Sequence, residues 1–350
     1  MADPATTQPD DKTRRGGTPP DVQAGEESPT ESTTTVLLAL AANAGIGVLK
    51  LVAGLISGSG ALLSEAAHSV GDSSTELLLL TALRRSDRPA DRVHPFGYGK
   101  ERYFWSLLAA IAILTSGAAF SIFQGLHTIF SAPEPSALLW INYPVLAVAT
   151  VLEGVSFRQA ARQASAEARQ GKRSLRAYLR DPEDPTVKSV FLEDSVALIG
   201  LMIAAAGVGL HQLTGSALWD GLASLAIGCL LVLAAYLLAQ TCKTLLIGKQ
   251  ADVRLIRAIS QRLEAQPEVL DVVDLLTMMV GTSKILLCAR VDFVDTFSAA
   301  DLEEACVRID GELRREFADL DEIFIQPVPR TDPGVRERVL RRYGRVLADE

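Results

Sequence analysis

An α-helical membrane protein carrying a small α+β domain at its C-terminal end is the fold class this chain predicts. Three observations carry that expectation. Hydrophobic residues make up 48% of the 350 positions, yet they gather into long runs before residue 250. The loops between those runs alternate between strongly basic and free of Lys and Arg. Beyond residue 250 the pattern breaks into short helical and period-two stretches.

The elements follow in order. Residues 1–33 are rich in Pro, Thr, Gly, Asp and Glu and have no apolar core, so a disordered tail is expected rather than a signal peptide. The stretch 34–248 holds six apolar runs, near 35–57, 61–83, 104–130, 138–157, 187–210 and 218–246. A helix of about 20 residues crosses the hydrocarbon core of a bilayer, and each run is long enough. The fifth is the most polar, with Lys188, Glu193 and Asp194 near its start.

The loop after the second run carries Arg84, Arg85, Arg88, Arg92 and Lys100. The loop after the fourth carries Arg158, Arg162, Arg169, Lys172, Arg173, Arg176, Arg180 and Lys188. Basic loops stay on the cytoplasmic side, which places these loops and both termini there. Residues 249–330 read as helix, strand, strand, helix, strand: an amphipathic helix over 251–265, strands over 272–280 and 285–293, and a strand over 323–328. In the second strand Ile285, Leu287, Ala289, Val291 and Phe293 occupy one face. Ser298 and Asp301 have the spacing of a helix start, and Leu302, Ala305, Ile309 and Leu313 share the face that follows. Residues 331–350 read as a charged tail, with room for a short helix.

Composition excludes several classes. A net charge of −8 gives no basic surface for nucleic acid. Cys229, Cys242, Cys288 and Cys306 are scattered without a CxxC pair, so neither a disulfide framework nor a zinc ribbon is indicated. No HExxH and no nucleophile arrangement supports an intramembrane hydrolase, so no enzyme is expected.

Chemistry concentrates in residues 62–72. Glu65, His68 and Asp72 stand at offsets of three and four, on one face of a helix inside an apolar run. Ionisable groups at membrane depth are costly and mark function by default. An imidazole with carboxylates is a donor set for a divalent metal, and a histidine binds metal only when neutral, so protons compete with the cation. Lys50 is expected to pair with a neighbouring acid, Asp220 to cap the sixth helix, and His127 and His211 to lie near the outer membrane surface. For Glu153, a salt bridge to Arg158 competes with a metal contact.

The run from Ala41, Ala42 and Asn43 through Lys50, Gly54, Ser57, Gly58 and Ser59 to Glu65, His68 and Asp72 resembles the first two helices of the cation diffusion facilitators. The loop from His94 to Trp105 resembles theirs before the third helix. Glu153–Phe157 together with Asp184, Pro185, Leu192, Glu193 and Asp194 resembles the branch of the mitochondrial zinc transporters and their bacterial relatives. The resemblance implies a six-helix transporter with a cytoplasmic ferredoxin-like domain, working as a homodimer that exchanges metal for protons. It also implies two ligands each from the second and fifth helices, at i and i+4. His68, Asp72 and Asp194 fill three of those places, but the fourth is Val190, which cannot ligate. Water, Glu65, Glu193, or Glu153 or Asn43 from neighbouring helices is left to complete the set, although Glu193 points about 100° away from Asp194 on a regular helix. Zn2+ is the expected cargo, with Mn2+, Fe2+ or Co2+ as alternatives because the donors are mostly oxygen. No permanently bound cofactor is expected. Loss of the fourth ligand also leaves open a scaffold that kept the fold without transport. A bacterial-type inner membrane is the expected location. The histidine-free C-terminal domain, and His94 followed by Tyr98 four residues on, give no support to further metal sites.

Overall fold

The computed structural model describes residues 33–131, 138–170, 174–180, 185–282 and 284–343. The tail expected over 1–33 (all but its last residue) and the end of the charged tail, 344–350, lie outside the described residues, as do Lys172 and Arg173. The chain divides into two compact units, Met1–Ala39 and Leu40–Glu350; the described part of the first is helical from Thr33.

Helix α1 (Thr33–Ser57) turns at Gly58, whose φ of 69° suits glycine, into α2 (Gly60–Ser86). Ser59 is the N-cap of α2 and accepts a hydrogen bond from the Leu62 amide. Next come α3 (Glu101–Ala112), a π-helical turn (Ile113–Ala118) and α4 (Ala119–Ser131), which run on as one long helix. A short 3-10 turn leads into α5 (Asn142–Gln170), followed by α6 (Leu175–Arg180), α7 (Pro185–Thr214) and α8 (Leu218–Ile247). Gly248, at φ 114°, ends α8.

Among the described residues, four helices are long and apolar enough to cross a membrane: Glu101–Ser131, Leu139–Arg169, Val190–Thr214 and Leu218–Ile247. Their outer faces expose large apolar side chains, such as Phe123, Val151, Met202 and Leu233. Helix α2 has the length but not the apolarity, because Ser64, Glu65, His68, Ser69, Asp72, Ser73 and Glu76 interrupt it. It sits inside the bundle, touching α3, the π turn, α4, α7 and α8.

Small residues bring α4 against α8. A Cβ on Gly221 would stand 3.0 Å from the Gly125 carbonyl oxygen and 2.6 Å from Ile129 Cγ1. Gly221→Val is therefore expected to cost about 1–3 kcal/mol through overpacking. A thermal melt in detergent checks this, with the midpoint expected several degrees below that of the parent protein.

The small domain contains α9 (Val253–Glu264), β1 (Val269–Gly281), β2 (Lys284–Phe293), α10 (Ala299–Glu316) and β3 (Leu320–Pro327), in the αββαβ order read from the sequence. Strand order is β1-β2-β3, with β1 antiparallel to β2 and β2 parallel to β3. The α10 crossover makes the parallel pairing possible. Ile285, Leu287, Ala289, Val291 and Phe293 are all buried, as their alternation predicts. Ser298 and Asp301 form a reciprocal capping box at the start of α10. Beyond the sheet, α11 (Pro333–Tyr343) lays Val335 and Val339 against Val273 of β1. Fully buried Asp274 binds both Arg290, at 2.6 Å, and Arg342, at 3.0 Å.

The two parts share a core. Tyr103 of α3 and Leu245 of α8 belong to the cluster formed by Ile259, Leu287 and Ile309. The loop between α2 and α3 is built on Asp91, which accepts from the Val93 and His94 amides and from the Tyr98 hydroxyl. The Tyr98 hydroxyl and the His94 amide hold this carboxyl below the usual carboxylate range. The loop then docks on the β1–β2 hairpin. A Cβ on Gly99 would stand 2.5 Å from the Val280 carbonyl oxygen and 2.7 Å from Gly281 Cα. Arg102 adds a 3.2 Å hydrogen bond to the Thr282 hydroxyl.

Candidate metal centre

Helix α2 presents Glu65, His68, Asp72 and Glu76 along one face, at offsets of three, four and four. What brings that face inside is the packing of small residues. A Cβ on Gly71 would meet Ser116 Oγ at 3.3 Å, and one on Gly117 would lie 3.8 Å from His68 Cα. The wide turn of the third long helix thus rests on α2 at the level of His68 and Asp72. Widened turns of this kind cluster at functional sites. The Thr115 and Ser116 hydroxyls donate back to the Ile111 and Ala112 carbonyls, satisfying backbone acceptors within the segment.

His68 is 3% exposed, and its Nδ1 lies 3.3 Å from Asp72 Oδ1. The two touch without a hydrogen bond: His68 Nε2 and Asp72 Oδ1 are buried and unpartnered among the described residues. Unsatisfied polar atoms in an apolar bundle are costly, so a buried imidazole nitrogen and carboxylate oxygen left without partners on neighbouring side chains suit an incoming cation. Helix α7 contributes Glu193 and Asp194. Asp194 Oδ2 accepts from Ser156 Oγ of α5 at 2.9 Å, and Phe157 meets Phe191 beside it, with ring centroids 5.4 Å apart. Glu193 Oε1 is buried and unpartnered, within electrostatic reach of Asp72, Asp194 and Glu76. Glu153 of α5 acts on His68, Asp72, Glu76 and Asp194 through its field.

The expected residues therefore gather in one region, on three helices, without closing on a single point. Among the described residues, no three His, Cys, Asp or Glu side chains converge in metal-holding geometry. Asp194 is turned onto Ser156, and Glu65 onto Lys50. Val190 is half-exposed one turn before Asp194 and adds no donor.

Glu76 escaped the sequence reading, although its place four residues after Asp72 on the same stripe was a visible signal. Its Oε1 accepts from Asn43 Nδ2 of α1, and its Oε2 is buried without a partner among the described residues. Lys50 pairs with an acid as expected, and that acid is Glu65. Asp220 differs from expectation: it does not cap its own helix but accepts from Ser59 Oγ at 2.6 Å and from the Gly60 and Ala61 amides, capping α2. His211 lies three residues before the end of α7, as expected, and is buried there, 5% exposed; beside it the Tyr143 hydroxyl of α5 donates to Gln212 Oε1 at 2.8 Å.

Comparison with known proteins gives a coherent set. The cation efflux transmembrane domain matches residues 36–247. The proton-coupled zinc antiporter SLC30A9, mitochondrial, of Xenopus laevis is 33% identical over 258 residues, covering 74% of this chain and 46% of that protein. Its Homo sapiens counterpart is 31% identical over 258 residues, covering 74% of this chain and 45% of that protein. Metal tolerance protein C4 of Arabidopsis thaliana is 31% identical over 238 residues, covering 68% of this chain and 52% of the plant protein. The chain thus spans about half the length of these relatives.

Proposed function

The chain belongs to the cation efflux family, and from that premise we propose that it is a proton-coupled antiporter moving Zn2+ out of the cytoplasm. Members of this family are α-helical integral membrane transporters and not enzymes. The observation that carries the proposal is the buried contact between His68 and Asp72, within electrostatic reach of carboxylates on α5 and α7. The relatives' names supply zinc and proton coupling.

In this reading α1, α2, the helix 101–131, α5, α7 and α8 are six membrane spans. Both termini face the cytoplasm, and the αββαβ domain is a ferredoxin-like dimerisation module. The membrane is a bacterial inner membrane, and the partners are the metal ion, protons, lipid and a second copy of the chain. Zn2+ is cargo held by His68, Asp72 and Asp194, with Glu193, Glu153 or the newly found Glu76 completing the set. Neutral His68 is needed to bind it, so a proton arriving from the far side competes for the imidazole and favours release. One elementary charge moved across 100 mV is worth about 2.3 kcal/mol, so the proton count sets the driving force.

The test is purified protein in proteoliposomes under a pH gradient, offered Zn2+, Mn2+, Fe2+, Co2+ and Cd2+ in turn. Zinc uptake that alkalinises the lumen in step with metal, as protons leave in exchange, supports the proposal; uptake that acidifies it, or uptake of none of the five, removes it. A second reading, transport of Mn2+ or Fe2+, is favoured by the excess of carboxylates over imidazole and is decided by the same panel. Val190→His would restore an i, i+4 pair with Asp194. It is expected to tighten zinc binding about tenfold, by analogy with the weight of single groups around metal sites. Calorimetric titration reads this directly.

A further inference from the structure

Lys50 of α1 is fully buried, and its ammonium lies 3.2 Å from Glu65 Oε2 and 3.0 Å from Ser69 Oγ. The other carboxylate oxygen, Glu65 Oε1, has no hydrogen-bond partner among the described residues. It presses on Gly200 of α7 so closely that any Cβ there would collide with it. Glu65 stands one turn from His68 on the same face of α2, and Ser69 follows His68 directly. The charge of Lys50 is felt at both His68 and Asp72.

A buried acid with a spare oxygen, one turn from an imidazole, has the chemistry of a further ligand for a divalent cation. In this structure its other oxygen is already engaged by the chain's own cation. A buried ion pair is weak evidence for stability, since an apolar pair of similar volume often serves the fold as well. A conducting site, by contrast, must bind strongly enough to load and weakly enough to unload.

We propose that Lys50 is a tethered competitor: its ammonium holds the Glu65 carboxylate away from a metal bound at His68 and Asp72, and so keeps the site loose enough to release its cargo. This makes Lys50 a positioning residue that acts through Glu65, and it rests on the antiporter reading above.

Zinc titration of the purified full-length protein, paired with initial rates in proteoliposomes, tests it. Lys50→Met frees Glu65, so the Kd for zinc is expected to fall about tenfold while the maximal rate drops. Lys50→Arg keeps the charge and stays much closer to wild type in both. Combining Lys50→Met with Glu65→Gln returns the Kd to the wild-type value, because the effect runs through that carboxylate. An unchanged or raised Kd in Lys50→Met, or tight binding that persists in the double variant, overturns the proposal. Should Lys50→Met fail to fold, Glu65→Gln decides: the now unopposed ammonium is expected to raise the Kd about tenfold, and an unchanged Kd overturns the idea. A wild-type protein with no zinc site that His68→Ala removes would instead overturn the antiporter reading, and this proposal with it.

Discussion

Asp72→Ala is expected to bring zinc uptake by proteoliposomes down to the level of empty vesicles, a loss of more than about a hundredfold. The same variant should elute and melt like the parent protein. The separation follows from geometry. Asp72 Oδ1 has no hydrogen-bond partner among the described residues, so removing the carboxylate orphans no donor. Its side chain is 16% exposed, and it touches His68 without bonding to it. Little holding the fold is lost, while the acid that touches the imidazole among the described residues disappears. Uptake at the wild-type rate in this variant would contradict the assignment of the site.

Asp220→Ala is expected to show the reverse pattern, a strong loss of stability that lowers activity only as folded protein is lost. The fully buried Asp220 carboxylate gathers the Ser59 hydroxyl and the Gly60 and Ala61 amides across 160 residues of sequence. Alanine would leave those donors unpaired inside the bundle, at about 1–3 kcal/mol or more, because the acceptor is ionic. Melting in detergent should begin many degrees lower, and limited proteolysis should cut earlier around residue 58. Asp220→Asn, which keeps one carbonyl acceptor, should recover part of the loss. A melting curve unchanged in Asp220→Ala would show that α2 does not depend on this cap.

These two acids mark how far the sequence could be read. Asp72 was legible because its signal is local: a carboxylate four residues from a histidine, inside an apolar run. The small domain was legible for the same reason, since the alternation from Ile285 to Phe293 and the Ser298–Asp301 cap are short-range patterns. Asp220 was misread because the helix it caps is supplied by residues 160 positions away, and no periodicity encodes that meeting. His211 stands near the end of its helix as expected, but its burial there has no local signal. The π turn at Ile113–Ala118 left no trace in a run of apolar residues and was settled by packing against Gly71 and His68. The choice of Glu65 as the partner of Lys50 was equally tertiary, although the need for some acid there was plain. Glu76 is the one group that local spacing did offer and the reading passed over.

The bare backbone at position 99 leaves no slack between the loop and the hairpin, so the end of α2 and the start of α3 share a mount with the sheet. Any tilt of the helix that carries the imidazole must either drag the hairpin along or slide against its carbonyls. A domain so mounted would damp motion of the helix that carries His68, and softening it by heat, truncation or a bulky residue at 99 would be felt about five helical turns along α2 from Ser86 as a change in how stiffly that imidazole is held.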